Sequence, residues 1–136
     1  MDISSPRHHM DSLHNNPDDE SYFPYMNGQF VFKNAIVRFT EVINEGLKKT
    51  GWSANEIGML IPHQANLRIA QFVQKKFGLS DDQVYNNIQR YGNTTAASIP
   101  IALTEAWEEG KIVPGTKVVL AAFGSGFTWG SIMIQW

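Results

Sequence analysis

Residues 28–136 predict an α/β layered domain, and three observations lead there. Two long stretches, 29–49 and 67–77, repeat apolar residues at helical spacing. Short apolar runs bounded by Gly or Pro stand between and after them, as buried strands do. The order helix, strand, helix, brief strand, helix, strand, strand then calls for helices layered on a mixed sheet.

Each element has its own reason. Residues 1–27 are polar and broken by Pro6, Pro17 and Pro24, so they read as a loop-like or partly disordered leader. In 29–49, Phe32, Ile36, Phe39, Val42, Ile43 and Leu47 form one helical stripe, and Gly51 stops it. Residues 57–62 suit a buried strand. In 67–77, Leu67, Ala70, Phe72, Val73 and Phe77 are expected to face inward, with Gly78 as the stop. Val84-Tyr85 is a brief strand. Residues 97–109 begin apolar nearly all round, with Ala97, Ile99, Ile101, Ala102 and Leu103, the pattern of a helix buried between layers. Pro100 is tolerated there only in the first turn. Residues 117–122 and 129–136 are expected to be adjacent antiparallel strands, reversed by Gly124, Gly126 and Gly130.

Bulk properties narrow the function classes. A 136-residue chain with 43% hydrophobic and 18% charged residues is long and apolar enough for one globular core. No apolar run approaches the ~20 residues that cross a bilayer, and no secretory start is present, so cytoplasmic residence is expected. The net charge of −2 hides an acidic leader: residues 1–27 hold one Arg against five acidic side chains. The remainder is mildly basic, without the dense stripe that nucleic acid requires. There is no cysteine, which excludes disulfides and a thiol nucleophile supplied by this chain.

Three runs carry chemistry. His63, where a strand gives way to a helix, is expected to be neutral because the helix N-terminus disfavours added positive charge. A neutral imidazole can donate one N–H to a carbonyl oxygen; the plainer alternative is a structural helix-terminus residue. Asn93 is either a turn or cap residue or a second, permanently neutral donor. The Gly124-Ser125-Gly126 loop is either an ordinary hairpin turn or a backbone approach to an oxyanion. It is no hydrolase elbow, since Phe123 and Phe127 stand where glycines belong, so a Ser125 hydrolase is a poor alternative. His8, His9 and His14 lack the spacing of a rigid metal site. No metal and no cofactor is expected.

Taken together, Pro62-His63-Gln64-Ala65-Asn66-Leu67-Arg68, Tyr91-Gly92-Asn93-Thr94-Thr95-Ala96-Ala97-Ser98 and Phe123-Gly124-Ser125-Gly126-Phe127-Thr128-Trp129-Gly130 resemble the C-terminal half of β-ketoacyl-acyl-carrier-protein synthase III. Met26-Asn27-Gly28 followed by Val31-Phe32-Lys33 extends the likeness to residues 26–136. The resemblance implies half of a thiolase-like layered fold, a mixed sheet with a buried helix. It implies a decarboxylating Claisen condensation of acyl-CoA with malonyl-acyl-carrier protein in fatty acid biosynthesis, and a homo-oligomer when complete. By the same resemblance, His63 and Asn93 hold the malonyl thioester carbonyl, and Gly124, Ser125 and Gly126 form the oxyanion loop. Gly28, Phe32 and Asn66 line the pantetheine tunnel, and Lys33, Arg68, Lys75 and Lys76 receive the carrier protein. The nucleophilic cysteine of the family lies on its N-terminal half, so this chain alone is expected to be inactive and to need a Cys-bearing half. Ser125 departs from the glycine common in the family, so its backbone angle must suit a residue with a Cβ. The alternatives are a non-catalytic carrier-binding module and a condensing enzyme of the type III polyketide synthase kind.

Overall fold

A computed structural model describes residues 26–136. The leader expected at 1–27 falls almost wholly outside the described residues, as do His8, His9 and His14. The elements are α1 (Gly28–Thr50), β1 (Met59–Pro62), α2 (Leu67–Phe77), a four-residue turn of helix α3 (Ile88–Tyr91), α4 (Ser98–Glu108), β2 (Lys117–Gly124) and β3 (Thr128–Gln135). The strands lie in the order β1-β2-β3, with β1 parallel and β3 antiparallel to β2, so the sheet is mixed. Val84 adds a single parallel bridge to Leu60, a shorter pairing than the strand expected at 84–85.

Side chains alternate across this sheet, and each face has its own core. Leu60, Val119, Ala121 and Phe123 meet Phe39, Ile43 and Leu47 of α1 and Val73 of α2. Met59, Ile61, Val118 and Leu120 meet Ala102 and Ala106 of α4 on the other side. Burying one large aliphatic or aromatic side chain stabilises by about 1.5–3 kcal/mol, so the stripe on α1 is its main anchor. Asn27 caps α1 by accepting the Phe30 N–H at 3.1 Å, a contact of about 1 kcal/mol. Gly51, in the left-handed conformation at φ 72°, closes its other end. Gly46 lets α1 lie against β3: a Cβ there would fall 2.0 Å from the Met133 terminal methyl.

One inward-facing expectation needs correction. Phe72 points outward, 44% exposed, because Ala70 and Val73 alone take the buried stripe of α2. The apolar helix starts at Ser98, with Pro100 third in its first turn, where no intrahelical N–H is lost. Only its Ser98, Ala102 and Ala106 side is buried; Pro100 and Trp107 are exposed, and Ile99, Ile101 and Leu103 are partly covered.

Candidate active site

β1 and β2 deliver the first candidate residue. Pairing of Pro62 with Ala121 continues one step, as the His63 N–H donates to the Ala121 carbonyl at 2.8 Å. The chain then turns sharply, and Gln64 becomes buried at 2% exposure. Its amide oxygen accepts the N–H groups of Asn87 and Ile88, at 3.1 and 3.2 Å. Its amide nitrogen donates to the carbonyls of Pro62 and Tyr85, at 2.7 and 3.2 Å. One buried side chain therefore uses both acceptor sites and both donors to tie the His63 turn to residues 85–88.

Asn93 arrives by a different route. Gly92 turns the chain at φ 66°, and the Asn93 Oδ1 accepts the Thr95 N–H at 2.9 Å. With the oxygen so engaged, the amide nitrogen keeps both hydrogens without a partner among the described residues. Thr95 takes φ 52°, a strained angle for a β-branched residue, typically costing about 1–3 kcal/mol. Segment 85–91 is held to α4 through Glu105, which accepts from Asn87 Nδ2 and Arg90, each at 2.7 Å. The Asn87 bond, then a bond from the Tyr91 hydroxyl and the charge of Arg90, hold the Glu105 carboxyl below its ordinary pKa.

The hairpin supplies the third wall. Gly126 at φ 76° and Phe127 at φ 55° make the reversal, while Ser125 is not among the residues of positive φ. A Cβ at position 125 is thus compatible with the turn, which answers the question raised by the missing glycine. Phe127 packs edge-on to Phe123 and tilts against Phe30 of α1, at centroid separations of 5.4 and 5.5 Å. Thr128 Oγ1 donates to the Ser125 carbonyl at 3.1 Å.

His63, Asn93, Ser98, Phe123, Gly124 and Ser125 line one open cavity of about 540 Å³, and Gly126 is not part of that lining. Burial holds the His63 pKa below its ordinary value, so the imidazole is neutral. The cause differs from the helix-end effect expected, since α2 starts only at Leu67 with Asn66 as its cap. The cavity thus combines two neutral donors with a tight hairpin backbone, an arrangement suited to an oxygen that gains negative charge.

The remaining candidates lie apart from this cavity. Gly28 opens α1, and Asn66 accepts the Arg68 N–H at 2.9 Å as the cap of α2. The Arg68 guanidinium lies over the Phe32 ring at 5.6 Å. Lys33, Arg68, Lys75 and Lys76 are exposed, and none joins an ion pair among the described residues. Ser98, 2% exposed with its Oγ 2.6 Å from His63 Nδ1, was not foreseen. It sits 35 positions from His63, and only the packing of α4 brings the two together. Among the described residues, no cluster of His, Asp and Glu is arranged to hold a metal, and no helix is long and apolar enough to cross a membrane.

The sequence model for the 3-oxoacyl-[acyl-carrier-protein (ACP)] synthase III C terminal matches residues 47–136. The chain is 49% identical over 112 residues to beta-ketoacyl-[acyl-carrier-protein] synthase III of Desulfotalea psychrophila, covering 82% of this chain and 35% of that one. The same-named protein of Chlorobium phaeovibrioides is 42% identical over 125 residues, 92% of this chain and 38% of its own length. A crystal structure of 3-oxoacyl-[acyl-carrier-protein] synthase III from Aquifex aeolicus VF5 superposes with a TM-score of 0.82 at 42% identity, covering 87% of this chain and 38% of that chain. The chain spans less than two fifths of the length of these relatives. Its α/β architecture with a mixed sheet is thiolase-like. The matched stretch takes in His63, Asn93 and the glycine hairpin, and this chain belongs to the 3-oxoacyl-[acyl-carrier-protein] synthase III family, of which it carries the C-terminal part.

Proposed function

We propose that this chain supplies the enolate-stabilising part of a decarboxylating Claisen condensation between an acyl thioester and malonyl-acyl-carrier protein. The observation that carries this reading is the single cavity lined by His63, Asn93, Gly124 and Ser125 in a chain without cysteine. In the proposed step, the malonyl C–C bond breaks, CO2 leaves, and the electron pair moves onto the thioester as an enolate. His63 and Asn93 donate N–H bonds to its oxygen. The enolate carbon then attacks an acyl group held as a thioester on a cysteine, whose thiolate is the leaving group. Two neutral donors strengthen their bonds as charge develops, without binding the starting carboxylate strongly.

The cysteine must come from a Cys-bearing N-terminal half, whether in the same longer polypeptide or in a separate chain. The exposed apolar side of α4 supports such a pairing, because a helix apolar nearly all round is suited to cover on both sides. Acyl-CoA is the proposed source of the acyl group. Gly28, Phe32 and Asn66 are proposed to line the pantetheine path. Lys33, Arg68, Lys75 and Lys76, which join no ion pair among the described residues, are proposed to receive the acidic carrier protein.

The test is malonyl decarboxylation by the chain assembled with a Cys-bearing half. His63→Ala and Asn93→Ala are each expected to lower the rate by ~10²–10³ while leaving cysteine acylation intact. The double variant is expected to lose less than the two singles combined, because both donors serve one oxygen. Normal decarboxylation by either single variant overturns the assignment. The chain alone is expected to form no ketoacyl product. A non-catalytic carrier-binding role, favoured by the exposed Lys33, Arg68, Lys75 and Lys76, predicts carrier binding but no decarboxylation even in the assembled protein.

A further inference from the structure

Ser98 touches two groups across the fold, and together they determine where its hydrogen goes. It is the first residue of α4, yet it does not cap that helix: Ala97 holds the cap position and no side-chain cap bond is made. Its Oγ instead reaches the end of β1, where it accepts the Gln64 backbone N–H at 3.3 Å and lies 2.6 Å from His63 Nδ1. Ser98 is 2% exposed, so a mismatched hydrogen on its hydroxyl has little access to water.

The Gln64 N–H can only donate, so it fills one acceptor site of the hydroxyl. If His63 also donated from Nδ1, the serine hydrogen would be left to find a third partner, and none is recorded among the described residues. A buried hydrogen without an acceptor costs about 1–3 kcal/mol. If the serine donates to Nδ1 instead, both bonds are satisfied and the imidazole proton must sit on Nε2.

We propose that Ser98 is a positioning residue that locks His63 in the Nε2–H tautomer, so that the imidazole presents a donor, rather than a lone pair, to the cavity. The inference rests on the proposed role of His63 as a hydrogen-bond donor to the thioester oxygen. The wrong tautomer would set a nitrogen lone pair against an oxygen gaining negative charge. Protonation on both nitrogens would break the same hydrogen count, and the burial that depresses the His63 pKa acts in the same direction. Gln64 acts twice: its N–H orients the serine, and its side chain clamps the turn that carries His63.

The test reads the tautomer directly, on this chain and without substrate. Nitrogen-15 spectra of the wild-type His63 ring near neutral pH are expected to show one species, protonated on Nε2, with Nδ1 accepting a hydrogen bond. In Ser98→Ala, the Nδ1 hydrogen-bond signature is expected to vanish and both tautomers to appear. Ser98→Thr, which keeps a hydroxyl, is expected to restore the wild-type ring spectrum. A wild-type ring protonated on Nδ1 overturns the proposal, and so does a folded Ser98→Ala protein with an unchanged ring spectrum. Should a variant fail to fold, the wild-type spectrum still decides. In the assembled enzyme, Ser98→Ala is expected to slow malonyl decarboxylation by about tenfold and leave cysteine acylation unchanged. A locked tautomer combined with normal decarboxylation in His63→Ala would sink the proposed function while leaving the lock standing.

Discussion

The two faces of the sheet are finished to different degrees. On the side of α1 and α2, Phe39, Ile43, Leu60, Val73 and Val119 are all within 2% of complete burial, and two helices close the layer. On the side of α4, one eleven-residue helix covers the sheet. Ile132 stays 59% exposed, Trp107 56% and Trp136 37%, with Trp107 and Trp136 packed against each other at 6.4 Å. Both faces carry the same kind of side chains, so composition does not explain the difference. The closed face is a self-sufficient core. The open face has the apolar surface of a layer interface, and the catalytic candidates sit at its edge, where α4 brings Ser98 to His63.

The largest effect expected of this contrast is on stability. Phe39→Ala, on the closed face, is expected to cost about 3–5 kcal/mol in denaturant unfolding, from lost burial plus the cavity left behind. A loss below about 1 kcal/mol would show that the α1 layer is not the anchor it looks to be. Gln64→Ala, at the seam between the faces, is expected to cost about 2–4 kcal/mol, because it leaves two carbonyls and two N–H groups without their partner. On the open face, Ile132→Asp is expected to weaken self-association or pairing with a Cys-bearing half, measured by sedimentation across concentrations. Strictly monomeric behaviour of the unaltered chain at high concentration would remove the case for an interface there. Ile132→Thr, which keeps the strand-favouring branch, is expected to change monomer stability by less than about 0.5 kcal/mol.

The faces also differ in their response to acid. His63, beside the cavity, has a folded pKa below its ordinary 6.5 because of burial. The unfolded chain therefore binds the proton first, and stability is expected to fall as pH drops through 6.5 towards the depressed folded value. His63→Gln should flatten that part of a stability–pH curve, and an unchanged curve would show that the burial effect is absent. Glu56 acts in a lower window. The Lys117 ammonium and then the Ser53 N–H hold its pKa at about 2 against an ordinary 4.5. Its contribution, present above 4.5, is lost as pH falls from 4.5 towards 2.

Much of this protein was legible in the residue order. The stripe at Phe39, Ile43 and Leu47 marked α1, Gly51 and Gly78 marked two helix ends, and Pro100 placed the start of α4. Those signals are local, because caps, stops and periodicity depend on residues within a turn or two. The three runs that resemble synthase III pointed to the family, and the missing cysteine was plain from the residue count. Tertiary structure decided the rest. Phe72 fits the helical stripe as well as Val73 does, but only packing against α1 chose between them. His63 and Asn93 stand thirty positions apart in sequence; the Gln64 clamp, the Thr95 angle and the hairpin bring them to one cavity. The neutral state of His63 comes from burial, and its expected tautomer from a serine 35 positions away. Desolvation and long-range hydrogen bonds depend on which distant segments share a space, and neighbouring residues in sequence do not encode that.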